Sequence, residues 1–146
     1  MSLNFTMENL FNSFDDAKEL IKDQAKEVGA LDPDKFEVDL DKYKAMAPSL
    51  RAFAARENGK LIGYSVFIVN THHHYKGVKV AFQDVTYLDP AFRGHNSMRF
   101  INWCDKQLRL EGVKAITRQV TEKKDYSKLL EKFGYRMIER LYLKEV

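Results

Sequence analysis

The segment from Val78 to Leu110 constrains this chain more than any other, because a strand-like run meets a proline and then, after a short loop, a helical pattern. Val78–Leu88 alternates, with Val80, Phe82, Asp84, Thr86 and Leu88 on one face and Lys79, Ala81, Gln83, Val85 and Tyr87 on the other. Pro90 ends the strand, since it cannot donate to a ladder. Arg93-Gly94-His95-Asn96 then leads into a helix running to about Leu110. Met98, Ile101, Cys104 and Leu108 form its apolar stripe, Phe100, Trp103 and Leu110 widen it, and Gly112 closes it. A strand that feeds a helix through a loop with few side chains leaves backbone N–H groups pointing outward. The helix macrodipole adds roughly half a positive charge there, so such a junction suits a pyrophosphate. Arg93 adds a cation at its entrance; an ordinary turn with Arg93 in a surface salt bridge is the alternative.

The flanking elements fit one mixed α/β layer structure. Leu10, Phe14, Ala17, Leu20, Ile21, Ala25 and Val28 fall at three- and four-residue steps, which predicts a helix stopped by Gly29. Asp32-Pro33-Asp34 reads as a turn or helix start, and a short helix over Leu40–Met46 ends ahead of Pro48. Leu50–Arg56 and Leu61–Val69 read as strands joined at Asn58-Gly59, a strong hairpin signal. His72–Gly77 is a loop. Beyond Gly112 the pattern predicts a strand over Val113–Val120, a helix over Asp125–Phe133 stopped by Gly134, and a last strand over Tyr135–Lys144.

Composition narrows the function classes. The 146 residues make one domain, 1–146, and 45% apolar with 31% charged residues suits a folded globular chain. A net charge of +3 gives no reason to expect nucleic acid. Cys104 is the single cysteine, which excludes an intrachain disulfide and a multi-cysteine zinc site. No apolar run approaches the ~20 residues that cross a bilayer. Met1–Asp16 lacks the pattern of a secretory signal, so the expected compartment is the cytoplasm. His72-His73-His74 lies on an extended loop, where three consecutive side chains cannot converge on one metal. Cys104, mid-helix on the apolar stripe, reads as a small buried hydrophobe. Arg118, Lys123, Lys124, Lys128 and Lys132 read as a mostly solvated basic face, available to an anionic substrate or a phosphate.

The run Pro90-Ala91-Phe92-Arg93-Gly94-His95-Asn96 resembles motif A of the GCN5-related N-acetyltransferases, in which a strand, a proline and an aromatic precede Q/R-x-x-G-x-G/A and a helix. Glu57-Asn58-Gly59-Lys60-Leu61-Ile62-Gly63-Tyr64 is similar to the family's hairpin, and Leu129-Leu130-Glu131-Lys132-Phe133-Gly134-Tyr135 to its closing phrase. The resemblance covers about Leu50 to Val146 in the right order. Asn96 and Met98 stand where the family carries small residues, and Leu130 where it frequently carries a general-acid tyrosine. Compact, divergent members, including phage-encoded ones, have this look.

The resemblance implies a mixed α+β acetyltransferase-like fold whose mostly antiparallel sheet splays near Leu88. It implies acetyl-coenzyme A as the acetyl donor, held by backbone of Arg93, Gly94, His95, Asn96, Ser97 and Met98, with the pantetheine arm along Tyr87 and Leu88. Backbone near Leu88 would meet the oxyanion. Asp84 matches a position where many members carry a Glu, and would act as base, directly or through water; a partly buried Asp paired with Lys or Arg is the plain alternative. Tyr126, one turn before Leu130, is placed to replace the missing acid, or else is a core aromatic. The acceptor would be an amine of a small molecule or protein, approached from Leu31–Ser49 and Asn70–Gly77, and a homodimer is open. Two other classes remain: a catalytically degenerate frame that binds a ligand or protein, and a structural domain with no cofactor.

Overall fold

The computed structural model describes residues 3–146. Its centre is a five-stranded sheet in the order β1 (Leu3–Glu8), β2 (Leu50–Glu57), β3 (Lys60–Thr71), β4 (Lys79–Leu88) and β5 (Ala115–Thr117). The first four strands pair antiparallel; β4 and β5 run parallel. The β2–β3 hairpin turns at Asn58 and Gly59, whose φ angles of 50° and 84° give the two positive values a tight hairpin turn needs.

Helices cover both faces. α1 (Leu10–Val28) is started by Asn9, whose side chain accepts from the amides of Phe11 and Asn12 at 2.9 and 3.2 Å. It lays Ala17 and Leu20 on a cluster with Ala54, Leu61, Tyr64 and Tyr87. α3 (His95–Leu110) lies on the other face, where Phe100, Cys104 and Leu108 pack on Phe53, Phe67 and Leu88. Each such large apolar side chain, fully buried, contributes about 1.5–3 kcal/mol, which is what holds the helices to the sheet. Short helices α2 (Leu40–Ala45) and α4 (Ser127–Lys132) complete the set.

Several expectations are corrected. β1 was not anticipated, although Leu3, Phe5 and Met7 alternate with polar residues as an edge strand should. The even alternation along β4 fails at one residue. Pairing with β3 passes from Val66↔Val85 to Phe67↔Gln83, so Asp84 is a bulge with no partner of its own. The extra residue exchanges the faces. Ala81 and Leu88 both pack on the α3 side, and Val85 and Tyr87 on the α1 side, while Asp84 bonds Tyr43 and lines the recess on the α1 side, away from the packing of Leu88. Leu110, expected to widen the buried stripe, is 70% exposed at the helix end. β5 is shorter than expected, and Tyr135–Lys144 forms no strand. Its edge template, Ala115–Thr117, is short, and Arg136, Glu139, Arg140 and Lys144 interrupt the apolar residues. From Met137 onward the large apolar side chains stand in solvent, Leu141 at 88% exposure. Among the described residues no helix is long and apolar enough to cross a membrane.

Candidate active site

The parallel contact of β4 with β5 covers only Val80–Phe82 against Ala115–Thr117. Past Phe82 the edge of β4 that faces β5 has no strand partner among the described residues, so the sheet opens from there to the strand end at Leu88. The opening is a groove of about 220 Å³, walled by Tyr87 and Leu88 of β4, Ser97 of α3, and Gln119, Lys124 and Tyr126 from the segment after β5.

One end of the groove is the start of α3. Gly94 caps the helix with φ 94° and ψ −123°, a conformation open essentially to glycine alone. Its carbonyl accepts from the amides of Ser97 and Met98 at 3.0 and 3.4 Å. The amides of Gly94, His95 and Asn96 have no acceptor among the described residues, and three consecutive free donors at a helix start form an anion-binding surface. Of the expected cofactor contacts, Tyr87, Leu88, Arg93 and Ser97 line the groove, whereas Gly94, His95, Asn96 and Met98 do not and stand at its end. Met98 is half-buried, so its length does not obstruct the opening. His95 is exposed.

Arg93 follows the salt-bridge alternative. Its Nη2 donates to both Glu27 carboxylate oxygens at 2.8 and 3.0 Å, and its Nε to the Leu88 carbonyl at 2.7 Å. The guanidinium lies 5.3 Å from the Tyr87 ring centroid. Arg93 therefore ties the loop before α3 to α1 and to the end of β4, and Glu27 largely neutralises its charge at the groove.

Asp84 lies where the groove meets a second recess, on the α1 side of the sheet; Gln24, Asp84 and Val85 line both. The bulge produces this placement, by turning Asp84 out of the regular ladder. Its partner is not the lysine or arginine of the plain alternative but Tyr43 of α2, whose hydroxyl donates to Asp84 Oδ2 at 2.5 Å. Burial, and then the adjacent carboxylate, push the Tyr43 phenol well above the usual tyrosine range, so it stays a donor. Tyr126 flanks α4 rather than lying inside it, and its hydroxyl donates to the Gln119 carbonyl at 3.3 Å. Desolvation raises its pKa, so the phenol keeps its proton, and the residue lines the groove.

No protein-family profile matches the chain, and no curated protein matches it. Solved structures do. The ribosomal-protein-alanine N-acetyltransferase of Brucella melitensis biovar Abortus 2308 superposes with a TM-score of 0.73 over 99% of both chains at 15% identity. Glucosamine-6-phosphate N-acetyltransferase of Arabidopsis thaliana gives 0.71 over 99% of both chains at 11% identity. A predicted acetyltransferase of Clostridium acetobutylicum, with acetyl-CoA, gives 0.71 over 98% of this chain and 96% of its own, at 15% identity. The fold is that of the N-acetyltransferases.

Within the acetyltransferase fold, the remaining expected features take definite places. Leu130, at the family's tyrosine position, is buried in the core and does not line the groove. Arg118 is not part of a solvated basic face. Its side chain is 1% exposed, bonded to Asp105 at 2.8 Å and Tyr135 at 3.1 Å, with the guanidinium 5.0 Å from the Phe67 ring centroid. Lys123 donates to the Gly29 carbonyl at 2.8 Å, and Lys124 lines the groove. His72 accepts from the His74 amide at 2.9 Å and packs on Tyr75 with ring centroids 4.8 Å apart. Among the described residues no three His, Cys, Asp or Glu side chains group closely enough to hold a metal. Cys104 is fully buried, and desolvation pushes its thiol far up, away from nucleophilic use. Tyr43, Gln24, Glu27 and Gln119 escaped the sequence reading. Their roles come from contacts such as Tyr43–Asp84, 41 positions apart, which no local pattern encodes.

Proposed function

We propose that this chain is an N-acetyltransferase that uses acetyl-coenzyme A to acetylate an amine by direct attack, without a covalent enzyme intermediate. The observation that carries the reading is the position of Asp84 at the junction of two recesses, one suited to the donor and one open to an acceptor. The residues present fit coenzyme A. The free amides of Gly94, His95 and Asn96 would meet its pyrophosphate, and the unpaired edge of β4 beyond Phe82 would meet the pantetheine arm. Bound acetyl-coenzyme A supplies an activated acetyl thioester. The chain's own groups supply the proton traffic: Asp84 accepts a proton from the ammonium of the acceptor, directly or through water, and Tyr43 holds the carboxylate in place. Tyr126 lines the groove and would donate to a leaving thiolate on exchanging the Gln119 carbonyl that its hydroxyl now bonds.

The second reading, a frame that binds without catalysis, draws on Arg93, whose charge is taken by Glu27. Release of free thiol from acetyl-coenzyme A in the presence of an amine panel separates the two. The catalytic reading expects amine-dependent thiol release that falls at least about a hundredfold in Asp84→Asn, in line with loss of a general base. Folded Asp84→Asn protein that turns over like the natural one contradicts the role of Asp84. Acetyl-coenzyme A binding without amine-dependent thiol release by any member of the panel would support the second reading.

A further inference from the structure

The recess on the α1 side of the sheet has about 110 Å³ of open volume and a one-sided chemistry. Phe14, Ala17 and Ile21 of α1, Phe36 and Val38 of the connection to α2, and Val66 of β3 supply its walls. Polar side chains reach it, but most of their hydrogen bonds are already made, the Gln24 Nε2 donors and Asp84 Oδ1 being the groups without a partner among the described residues. Ser13 donates to Glu8 at 2.6 Å, Glu8 accepts from Arg56 at 2.9 Å, and Gln24 accepts from Tyr64 at 2.5 Å. No lysine or arginine lines the recess. Of its two carboxylates, Glu8 is held by Arg56, while Asp84 is bonded to a neutral tyrosine and has no cationic partner among the described residues.

Resting on the acetyltransferase reading above, we propose that the acceptor is a compact primary amine on an apolar body, its nitrogen at Asp84 and its ring or branched alkyl group among Phe14, Phe36 and Val66. The size of the recess limits the body. A dry apolar cavity of about 150 Å³ takes a benzene ring, so about 110 Å³ admits at most one ring or a branched alkyl group, and no larger body. The chemistry excludes two other classes. A phosphorylated or carboxylated amine would set its anion beside Asp84 with no cation lining the recess to offset it. A polyhydroxylated amino sugar would lose water from its hydroxyls against mainly apolar walls with few free polar groups, which costs binding energy for each hydroxyl left unpaired.

The test is equilibrium binding to the full chain, with and without coenzyme A, followed by NMR shifts of the recess. The probes are 2-phenylethylamine, 2-phenylethanol and glucosamine. The proposal expects 2-phenylethylamine to bind saturably in the recess, at least about tenfold more tightly than glucosamine or the alcohol. Asp84→Asn should bring the amine down to the level of the alcohol. Phe36→Ala, at a residue 46% exposed whose truncation leaves the core intact, should weaken both aromatic probes several-fold. Glucosamine binding as tightly as 2-phenylethylamine overturns the proposal, as does absence of 2-phenylethylamine binding to folded protein under both conditions. Indifference of its binding to both substitutions overturns it too. A parallel acetyl-coenzyme A titration separates the two failures. Donor binding without amine binding sinks only the acceptor class; amine binding without donor binding sinks the transferase reading and leaves an amine-binding recess.

Discussion

Arg118→Met removes the most deeply buried charge that faces the core, and its cost follows from the contacts. The Arg118 side chain is 1% exposed and satisfies Asp105 at 2.8 Å, Tyr135 at 3.1 Å and Gln83 at 3.4 Å. Methionine keeps much of the packing against Phe67 but leaves the Asp105 carboxylate without its cation. Breaking a buried pair in this way costs about 3–5 kcal/mol when the abandoned charge is sealed from water. Asp105 is 20% exposed, so water recovers part of that loss and about 2–3 kcal/mol remains. At about 2–4 °C per kcal/mol for a chain of this size, the melting temperature should fall by roughly 5–10 °C. Urea unfolding of the natural protein, Arg118→Met, Asp105→Asn and the double variant isolates the pair, with an expected coupling of about 2 kcal/mol. A coupling below about 0.5 kcal/mol would mean that Arg118 acts through packing alone, and would refute the reasoning.

Three further outcomes follow from single contacts. Arg56, bonded to Glu8, holds its carboxyl down at about 2 from an ordinary 4.5, so the stability it contributes is present above about pH 4.5 and is lost as pH falls toward 2. Between about pH 6 and pH 3 the natural protein should lose about 1 kcal/mol more than Glu8→Gln, after allowance for solvent screening; equal losses in urea titrations would contradict this. Gly63→Ala would bring a Cβ within 2.7 Å of the Tyr87 carbonyl oxygen, a backbone atom that cannot step aside. It should cost about 1–3 kcal/mol and weaken acetyl-coenzyme A binding by shifting the groove wall, and unchanged melting and affinity would count against the described β3–β4 contact. Deleting residues 136–146 removes no buried side chain and should move the melting temperature by no more than about 2 °C; a larger drop would mean that the segment packs on the sheet.

The parts of the fold legible in the sequence are those set by neighbours along the chain. The helix over Leu10–Val28 came out as expected because its apolar spacing and its start and stop are local, and the hairpin because Asn58 and Gly59 take positive φ. The helix after Arg93-Gly94 was legible as well, although it starts at His95, within the stretch expected as its connection. What was missed depends on distant partners. β1 pairs with β2 from the other end of a long connection. The bulge at Asp84 arises from mismatch with β3, and no alternation in β4 alone announces it. Arg118 looks like a surface cation until Asp105 and Tyr135 close around it. Tyr135–Lys144 has the composition of a strand without a long enough edge to join. The site divides likewise: Gly94, Arg93 and Asp84 are visible as residue types in a motif, but Arg93's ion pair and Asp84's hold on Tyr43 exist only in three dimensions.

Calorimetric titration of the full chain with acetyl-coenzyme A, alongside Gly94→Val, tests the central claim most directly. One saturable site per chain is expected, with affinity at least about tenfold weaker in the variant, whose branched side chain cannot hold the backbone that presents the free amides. No binding up to millimolar donor by folded natural protein, or equal binding by the two, would contradict it.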